Sequence, residues 1–136
     1  MKILIVDDEP TITDFFSRLA AARGPHEVEA VDSAQEAVTR VLRNTFDLIT
    51  LDVRMPGVNG LEIIAVLRNM NPHAVIAVVS GFIPEIIPGE VLSCIDLLLP
   101  KPVSVSTFNA LLDGAAQLAE TMEGIRMLGE PAGVLR

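Results

Sequence analysis

The feature that most constrains the fold is a regular alternation of short apolar runs with stretches of helical periodicity. Between the apolar runs, and after the last one, apolar residues recur every three or four positions, as on one face of a helix. Such an alternation predicts βα units, which assemble into a parallel sheet with helices on both faces. We therefore expect an α/β fold, a doubly wound five-stranded parallel sheet with five helices. The predicted strands are residues 2–6, 28–31, 48–51, 74–79 and 96–99.

Local signals define most of the predicted helices. Gly24-Pro25 ends the first, and Ser33 with Glu36 forms a Ser-x-x-Glu capping box that begins the second. Ser104 can cap the last helix, whose pattern continues towards Leu128. We expect five apolar side chains of this last helix to face inward: Phe108, Leu111, Leu112, Ala115 and Leu118.

The fourth helix has the weakest signal. Pro88-Gly89 falls inside the stretch 84–95, which otherwise has helical periodicity. Proline removes a backbone donor and clashes with the preceding turn, so this helix is predicted to be short, broken or displaced.

Polar residues follow four of the predicted strands. Asp7 and Asp8 follow the first, Asp52 the third, Ser80 the fourth and Lys101 the fifth. In doubly wound sheets the binding site lies beyond the carboxyl ends of the strands. These side chains, spread over nearly the whole chain, are therefore expected to meet in one crevice.

The residue types at that crevice favour phosphoryl transfer. Three carboxylates in one place repel each other and require a compensating cation. Oxygen ligands favour a hard ion, and Mg²⁺ suits a few carboxylates together with phosphate oxygens. An ionised Asp52 beside Mg²⁺ can attack phosphorus, while Lys101 and Ser80 contact phosphoryl oxygens.

At these residues the chain resembles the response-regulator receiver family, over about residues 2–119. The resemblance implies a flavodoxin-like (βα)5 fold with strand order 2-1-3-4-5. Each motif is weak alone, but all of them occur in order after the expected strands. The motifs are Ile5-Val6-Asp7-Asp8-Glu9-Pro10, Asp47-Leu48-Ile49-Thr50-Leu51-Asp52, Met55-Pro56-Gly57-Val58-Asn59-Gly60, Ser80-Gly81 and Lys101-Pro102.

The resemblance also implies a Mg²⁺ site. Asp8 and Asp52 would ligate the ion directly, together with the backbone carbonyl of Arg54, and Asp7 would act through water. Glu9 is interpreted as a modulator of this site.

The same resemblance assigns the phosphoryl chemistry. Asp52 would be the phosphoacceptor. Lys101 would contact the phosphoryl group or, before phosphorylation, Asp52, and the Lys101–Pro102 bond would be cis. Ser80 would supply the hydroxyl that moves towards the new phosphate. The domain would assist its own phosphorylation and dephosphorylation without being a conventional enzyme.

Two positions depart from the family pattern. The family usually has an aromatic residue three positions before the lysine, where this chain has Leu98, which lacks a ring and a polar handle. The Pro88-Gly89 break changes the fourth helix, part of the face through which many relatives bind partners. We expect phosphorylation chemistry with an atypical output, in which Phe82 takes over part of the aromatic switch and the charge of Arg54 influences phosphoryl lifetime.

Three other functions would use part of this pattern. A haloacid-dehalogenase-type phosphatase would carry a second aspartate two residues after its nucleophile, but Arg54 occupies that place. A flavin carrier is disfavoured because the chain has no Trp or Tyr to stack on the ring. A receiver-like protein-interaction module that signals without phosphorylation remains the alternative: the intact set of Asp7, Asp8, Asp52 and Lys101 argues against it, whereas Leu98 and Pro88 keep it open.

Composition limits the partners. The net charge is −8 and no Lys/Arg cluster exists, so direct nucleic-acid binding by this domain is not expected. No apolar run approaches the roughly 18 residues of a membrane span. One cysteine, Cys94, excludes an internal disulfide and suits a cytoplasmic location.

The domain prediction is a receiver over residues 1–119 and a tail or helix extension over residues 120–136. The resemblance implies a sensor histidine kinase or phosphotransfer protein as the phosphoryl donor. Because no output-domain motif occurs in the tail, the expected receiver of the signal is a downstream protein or a missing output domain.

Overall fold

A computed structural model describes residues 1–55, 58–82 and 85–129, with the backbone alone at 58 and 59. Pro56 and Gly57 of the Met55–Gly60 motif, and the end of the predicted tail, lie outside these ranges. The strands are β1 (Lys2–Val6), β2 (Glu27–Val31), β3 (Leu48–Leu51), β4 (Arg54–Met55), β5 (Val58–Asn59), β6 (Val75–Ser80) and β7 (Leu97–Pro100). The helices are α1 (Pro10–Ala22), α2 (Ala34–Arg43), α3 (Leu61–Met70), α4 (Gly89–Leu92) and α5 (Val105–Arg126).

The main sheet is parallel and five-stranded, with the order β2-β1-β3-β6-β7. Counted along this sheet alone, the order is 2-1-3-4-5, so the predicted doubly wound flavodoxin-like topology is confirmed. The sequence patterns did not predict β4 and β5, a two-residue antiparallel pair directly after Asp52.

Alternation of side chains along the strands produces two hydrophobic cores, one on each face of the sheet. Leu4 and Val6 of β1 belong to the core that α2 and α3 cover. Ile3 and Ile5 belong to the core that α1 and α5 cover, where the rings of Phe16 and Phe108 stack with centroids 4.0 Å apart. Because both faces are covered, the central strands are buried and mostly apolar, as predicted for a parallel sheet, and Thr50 and Ser80 are their buried polar residues.

The predicted caps of α2 and α5 are confirmed. The hydroxyl of Ser33 accepts a hydrogen bond from the N–H of Glu36, and that of Ser104 accepts one from the N–H of Thr107. Each cap satisfies a backbone donor that has no partner within its helix.

The fourth helix is short, as the Pro88-Gly89 pair predicted. Pro88 is the N-cap residue and α4 contains four residues, none of them buried. Residue 84, at the start of the predicted stretch, lies outside the described residues.

The predicted continuation of the last helix towards Leu128 is confirmed, since α5 runs to Arg126, but the expectation that Leu118 faces inward is wrong. Ala115 is the last buried residue of α5, whereas Leu118 is 55% exposed and Leu128 86% exposed. The helix itself continues to Arg126, well beyond Ala115. Among the described residues, no helix, including the 22-residue α5, is long and apolar enough to cross a membrane.

Candidate functional site

Strand register brings the carboxyl ends of β1 and β3 together. Val6 pairs with Leu51, so Asp7 and Asp52 follow as neighbours. The N–H of Asp52 continues the ladder by donating to the carbonyl of Val6 over 2.9 Å, and the N–H of Asp7 donates to Val31 on the other side over 3.1 Å. Backbone hydrogen bonds to neighbouring strands therefore position both aspartates.

The other side of the crevice is built by β6 and β7. Ser80 pairs with Pro100, and the N–H of Lys101 donates to the carbonyl of Ser80 over 2.9 Å. The Lys101–Pro102 peptide bond is cis, as the family resemblance predicted. Lys101 thus leaves the sheet beside Ser80, and the five predicted site side chains come from four strand ends in one cleft.

Asp52 lies at the centre of this cleft and is 4% exposed. Its Oδ1 accepts hydrogen bonds from the Ser80 hydroxyl at 2.8 Å and from the N–H of Arg54 at 2.9 Å. Its Oδ2 lies 3.0 Å from the Lys101 ammonium. These contacts fix the orientation of the carboxylate.

Lys101 holds three carboxylates at once. Its Nζ lies 2.7 Å from Asp7, 2.9 Å from Glu9 and 3.0 Å from Asp52. Burial of the ammonium favours its neutral form, but the hydrogen bonds to the three acids outweigh burial and raise the pKa of Lys101 well above its ordinary value. Lys101 is therefore a permanent cation in this cleft.

Asp7 is buried at the base of the cleft, where desolvation raises the pKa of its carboxyl above the usual range. The hydrogen bonds from Lys101 and from the N–H of Glu9 act in the opposite direction, as does the charge of Lys101, while the charge of Asp52 adds to the effect of burial. A site that holds two buried acidic side chains next to each other favours additional positive charge.

Three carboxylates form a candidate cation site. One oxygen each from Asp7, Asp8 and Asp52 lies within 4.8 Å of the others. Asp8 is half-buried, whereas the other two are buried. An all-oxygen set that opens onto solvent fits a hard divalent cation that retains some of its waters. Arg54, whose carbonyl was expected to complete the set, lines the same cleft.

The backbone at Gly60 approaches that of Val53 so closely that there is no space for a side chain. A Cβ atom there would lie 2.6 Å from the Cα of Val53, and the N–H of Gly60 donates to the carbonyl of Val53 over 3.1 Å. The sequence patterns did not predict this close approach. Its role is to let the loop pack on the backbone directly after Asp52.

Two further contacts were not predicted. Glu9, interpreted as a modulator, is a direct partner of Lys101. The guanidinium of Arg54 lies over the ring of Phe82, with Cζ 5.6 Å from the centroid. No local sequence signal indicates these two contacts, because each joins residues from different strand ends.

Leu98, at the usual aromatic position, is half-buried and packs against the core under α2 and α3.

The cleft has a volume of about 560 Å³ and is lined by Asp8, Glu9, Asp52, Arg54, Met55, Ser80 and Gly81. It holds a fixed carboxylate, a cation and a hydroxyl within hydrogen-bond distance of that carboxylate. Such an arrangement can bind an anionic group and present a nucleophilic oxygen to it.

The known proteins to which this chain is similar include many response regulators. Over residues 3–113 the chain matches the family model of the response regulator receiver domain. The transcriptional regulatory protein ResD of Bacillus subtilis is 29% identical over 126 residues, which cover 80% of this chain and 52% of ResD.

Two solved structures share the fold. A response regulator protein from Burkholderia pseudomallei, crystallised with a phosphorylated aspartic acid, a calcium ion and citrate, has a TM-score of 0.74 and 25% identity, covering 92% of this chain and 74% of its own. The response regulator protein TrrA from Thermotoga maritima, in complex with Mg²⁺ and BeF, has a TM-score of 0.69 and 26% identity, covering 86% and 97%.

The chain spans about half the length of ResD and smaller shares of several other curated relatives. The family match covers most of the chain and includes the whole main sheet except Lys2. The chain therefore belongs to the response regulator receiver domain family.

Proposed function

We propose that this domain accepts a phosphoryl group on Asp52 and uses the resulting change to control binding to a partner. The observation that carries the proposal is the environment of Asp52, a buried carboxylate with a hydroxyl on one oxygen and an ammonium on the other. These are the groups required to hold a nucleophile and to compensate the charge of an incoming phosphoryl group.

In the proposed reaction a carboxylate oxygen of Asp52 forms a bond to phosphorus. The bond between phosphorus and the donor's histidine nitrogen breaks, and the imidazole keeps the electron pair. Lys101 moves from the carboxylates to a phosphoryl oxygen, and the Ser80 hydroxyl donates to another. Hydrolysis of the acyl phosphate by water returns the Asp52 carboxylate and inorganic phosphate.

We assign Mg²⁺ as the cofactor, held by Asp8 and Asp52 directly, by the carbonyl of Arg54, and by Asp7 through water. Support comes from the all-oxygen donor set described above and from the Mg²⁺ in the complex of TrrA. When bound, the ion supplies positive charge between the acids and the phosphoryl oxygens.

The proposed partners are a sensor histidine kinase or phosphotransfer protein as donor, and a downstream protein or output domain as receiver of the signal. The family match supports these classes and names no individual partner. A cytoplasmic location remains a prediction that rests on the single cysteine. The domain is proposed to assist its own phosphorylation and hydrolysis without acting on a separate substrate.

The test is incubation with Mg²⁺ and acetyl phosphate, followed by measurement of intact mass. The wild-type chain should gain one phosphoryl group, with release of acetate, and Asp52→Asn should gain none. Asp47→Asn is a control for loss of an aspartate near β3 outside the cleft. Modification of Asp52→Asn to the wild-type extent would contradict the assignment.

The alternative is an interaction module that does not use phosphate. One observation favours it, namely the aliphatic Leu98 at the usual aromatic position. If the wild-type chain gained no phosphoryl group in this experiment, this alternative would replace the proposal.

A further inference from the structure

The mouth of the cleft carries a second cation that differs from Lys101. Lys101 is mostly buried and holds three carboxylates, whereas the side chain of Arg54 is exposed and rests on the ring of Phe82. Within residues 1–55, 58–82 and 85–129, no carboxylate lies within ion-pair distance of the Arg54 guanidinium. Arg54 is therefore a cation held by an aromatic face rather than by an acid.

The position of this contact links it to the acceptor. The N–H of Arg54 donates to Oδ1 of Asp52 over 2.9 Å, and the N–H of Phe82 donates to the Ser80 hydroxyl over 3.3 Å. Ser80 donates to that same Oδ1 over 2.8 Å. The Arg54–Phe82 contact thus lies at the mouth of the cleft. The backbone of Arg54 bonds to Asp52, and the backbone of Phe82 bonds to Ser80.

A phosphoryl group on Asp52 would compete with the ring of Phe82 for the guanidinium of Arg54. It adds about −1.5 to −2 charges close to the backbone of Arg54. A guanidinium binds phosphate oxygens through two parallel charge-assisted hydrogen bonds, which are stronger than an exposed contact with a phenyl ring.

We infer that Arg54 is a second phosphoryl-binding residue, which Phe82 holds beside the cleft until the phosphoryl group arrives. Arg54 then leaves the ring and binds phosphoryl oxygens. The exposed ring of Phe82 is thereby released and presents the change to a partner, which the half-buried Leu98 cannot do. This inference rests on the proposed function of Asp52.

The chain contains no tryptophan and no tyrosine, so Phe82→Trp introduces a single fluorophore at this contact. In this variant, saturating Mg²⁺ with beryllofluoride, a phosphoryl mimic, should change the emission of the new indole as the cation leaves its face. Adding Arg54→Ala should abolish that change. Adding Arg43→Ala, which removes an exposed arginine at the end of α2, should preserve it.

A second measurement uses acetyl phosphate with the phenylalanine present. Arg54→Ala should raise the half-saturating concentration of acetyl phosphate roughly three- to fivefold, as expected for one exposed charged contact. Phe82→Leu should lower it by about twofold, because the guanidinium is no longer held on a ring. Arg43→Ala, with the same loss of charge, should leave it unchanged.

The outcomes separate this inference from the function on which it rests. An emission change that survives Arg54→Ala, or equal half-saturation in all variants that gain a phosphoryl group, would overturn the role of Arg54 while leaving Asp52 as acceptor. Failure of the wild-type chain to gain any phosphoryl group would overturn both. Because Arg54 and Phe82 are exposed, unfolding curves of the variants should match that of the wild type.

Discussion

At the scale of single residues, charge compensation determines the behaviour of the site. Asp7 and Asp52 are buried next to each other, and the Lys101 ammonium bonds to both. The pKa of Asp7 is nevertheless raised, because desolvation outweighs these favourable contacts. The metal-free domain therefore carries an unfavourable buried charge, and this charge prepares the site for a cation.

The first prediction concerns Asp7→Asn in the presence of a chelator. An aspartate with a raised pKa in the folded state favours folding when protonated. That contribution is present below the unfolded pKa of about 3.8 and is lost as the pH rises through the folded pKa. Asp7→Asn should therefore increase the free energy of unfolding at pH 7, and the gain should shrink as the pH falls. Urea unfolding at several pH values measures this.

The control for that experiment is Asp14→Asn on the exposed side of α1, which removes the same charge. If Asp7→Asn were less stable than the wild type at pH 7 by the same margin as at low pH, the account of Asp7 would be wrong.

The second prediction concerns the glycine behind the acceptor. In Gly60→Ala the new methyl group would lie 2.6 Å from the Cα of Val53, so the loop that follows Asp52 has to shift. Forced overpacking of this kind costs about 1–3 kcal/mol, and misplacement of Asp52 should also slow its phosphorylation. Denaturant unfolding and intact-mass kinetics test the two effects.

Gly81→Ala is the matched control for stability, since a Cβ atom at Gly81 meets nothing within 4 Å. Its unfolding free energy should stay within about 0.5 kcal/mol of the wild type. Equal losses in the two variants would show that the close approach at Gly60 does not matter.

At the scale of elements, α5 divides into two parts. Its first half packs against the sheet and α1 through Phe108, Leu112 and Ala115, whereas its second half runs beyond the core. The predicted domain boundary at residue 119 lies inside this continuous helix and remains a prediction.

The third prediction follows from this division of α5. Leu112→Ala should lower the free energy of unfolding by about 2–5 kcal/mol, because it leaves a cavity in a fully buried position. Leu118→Ala, the same substitution less than two turns later, should change it by less than about 0.5 kcal/mol. Denaturant unfolding distinguishes them, and similar losses would mean that the second half of the helix is also covered.

At the scale of the whole molecule, the metal site connects separate parts of the chain. Residues 7, 8 and 52 belong to two strand ends, so a cation that binds all three binds the folded state alone. Ligands that bind only the folded state stabilise it by mass action.

The fourth prediction is a Mg²⁺-dependent increase in the free energy of unfolding, reaching about 2.7 kcal/mol when Mg²⁺ is at a hundred times its Kd. Asp8→Asn should reduce this increase, because one of the three carboxylates is lost. Asp14→Asn should retain it. A wild-type stability that does not depend on Mg²⁺ would contradict the assigned cofactor.

The sequence by itself determined the strands, their type of sheet and the residues that follow them. Runs such as residues 76–79 are apolar throughout because parallel strands are buried on both faces, and capping residues such as Ser33 act within one turn. These signals are local, so they can be found without knowledge of the rest of the molecule. The order of the strands came from the family resemblance.

Only the tertiary structure decided how the site residues pair and where the core ends. The contacts of Lys101 with Glu9 and of Arg54 with Phe82 join residues that are distant in sequence, and their existence depends on strand register. Leu118 continues the apolar period of α5 but lies beyond the sheet. Helical periodicity specifies which face of a helix is apolar. How much of that face is buried depends on the size of the surface against which the helix packs.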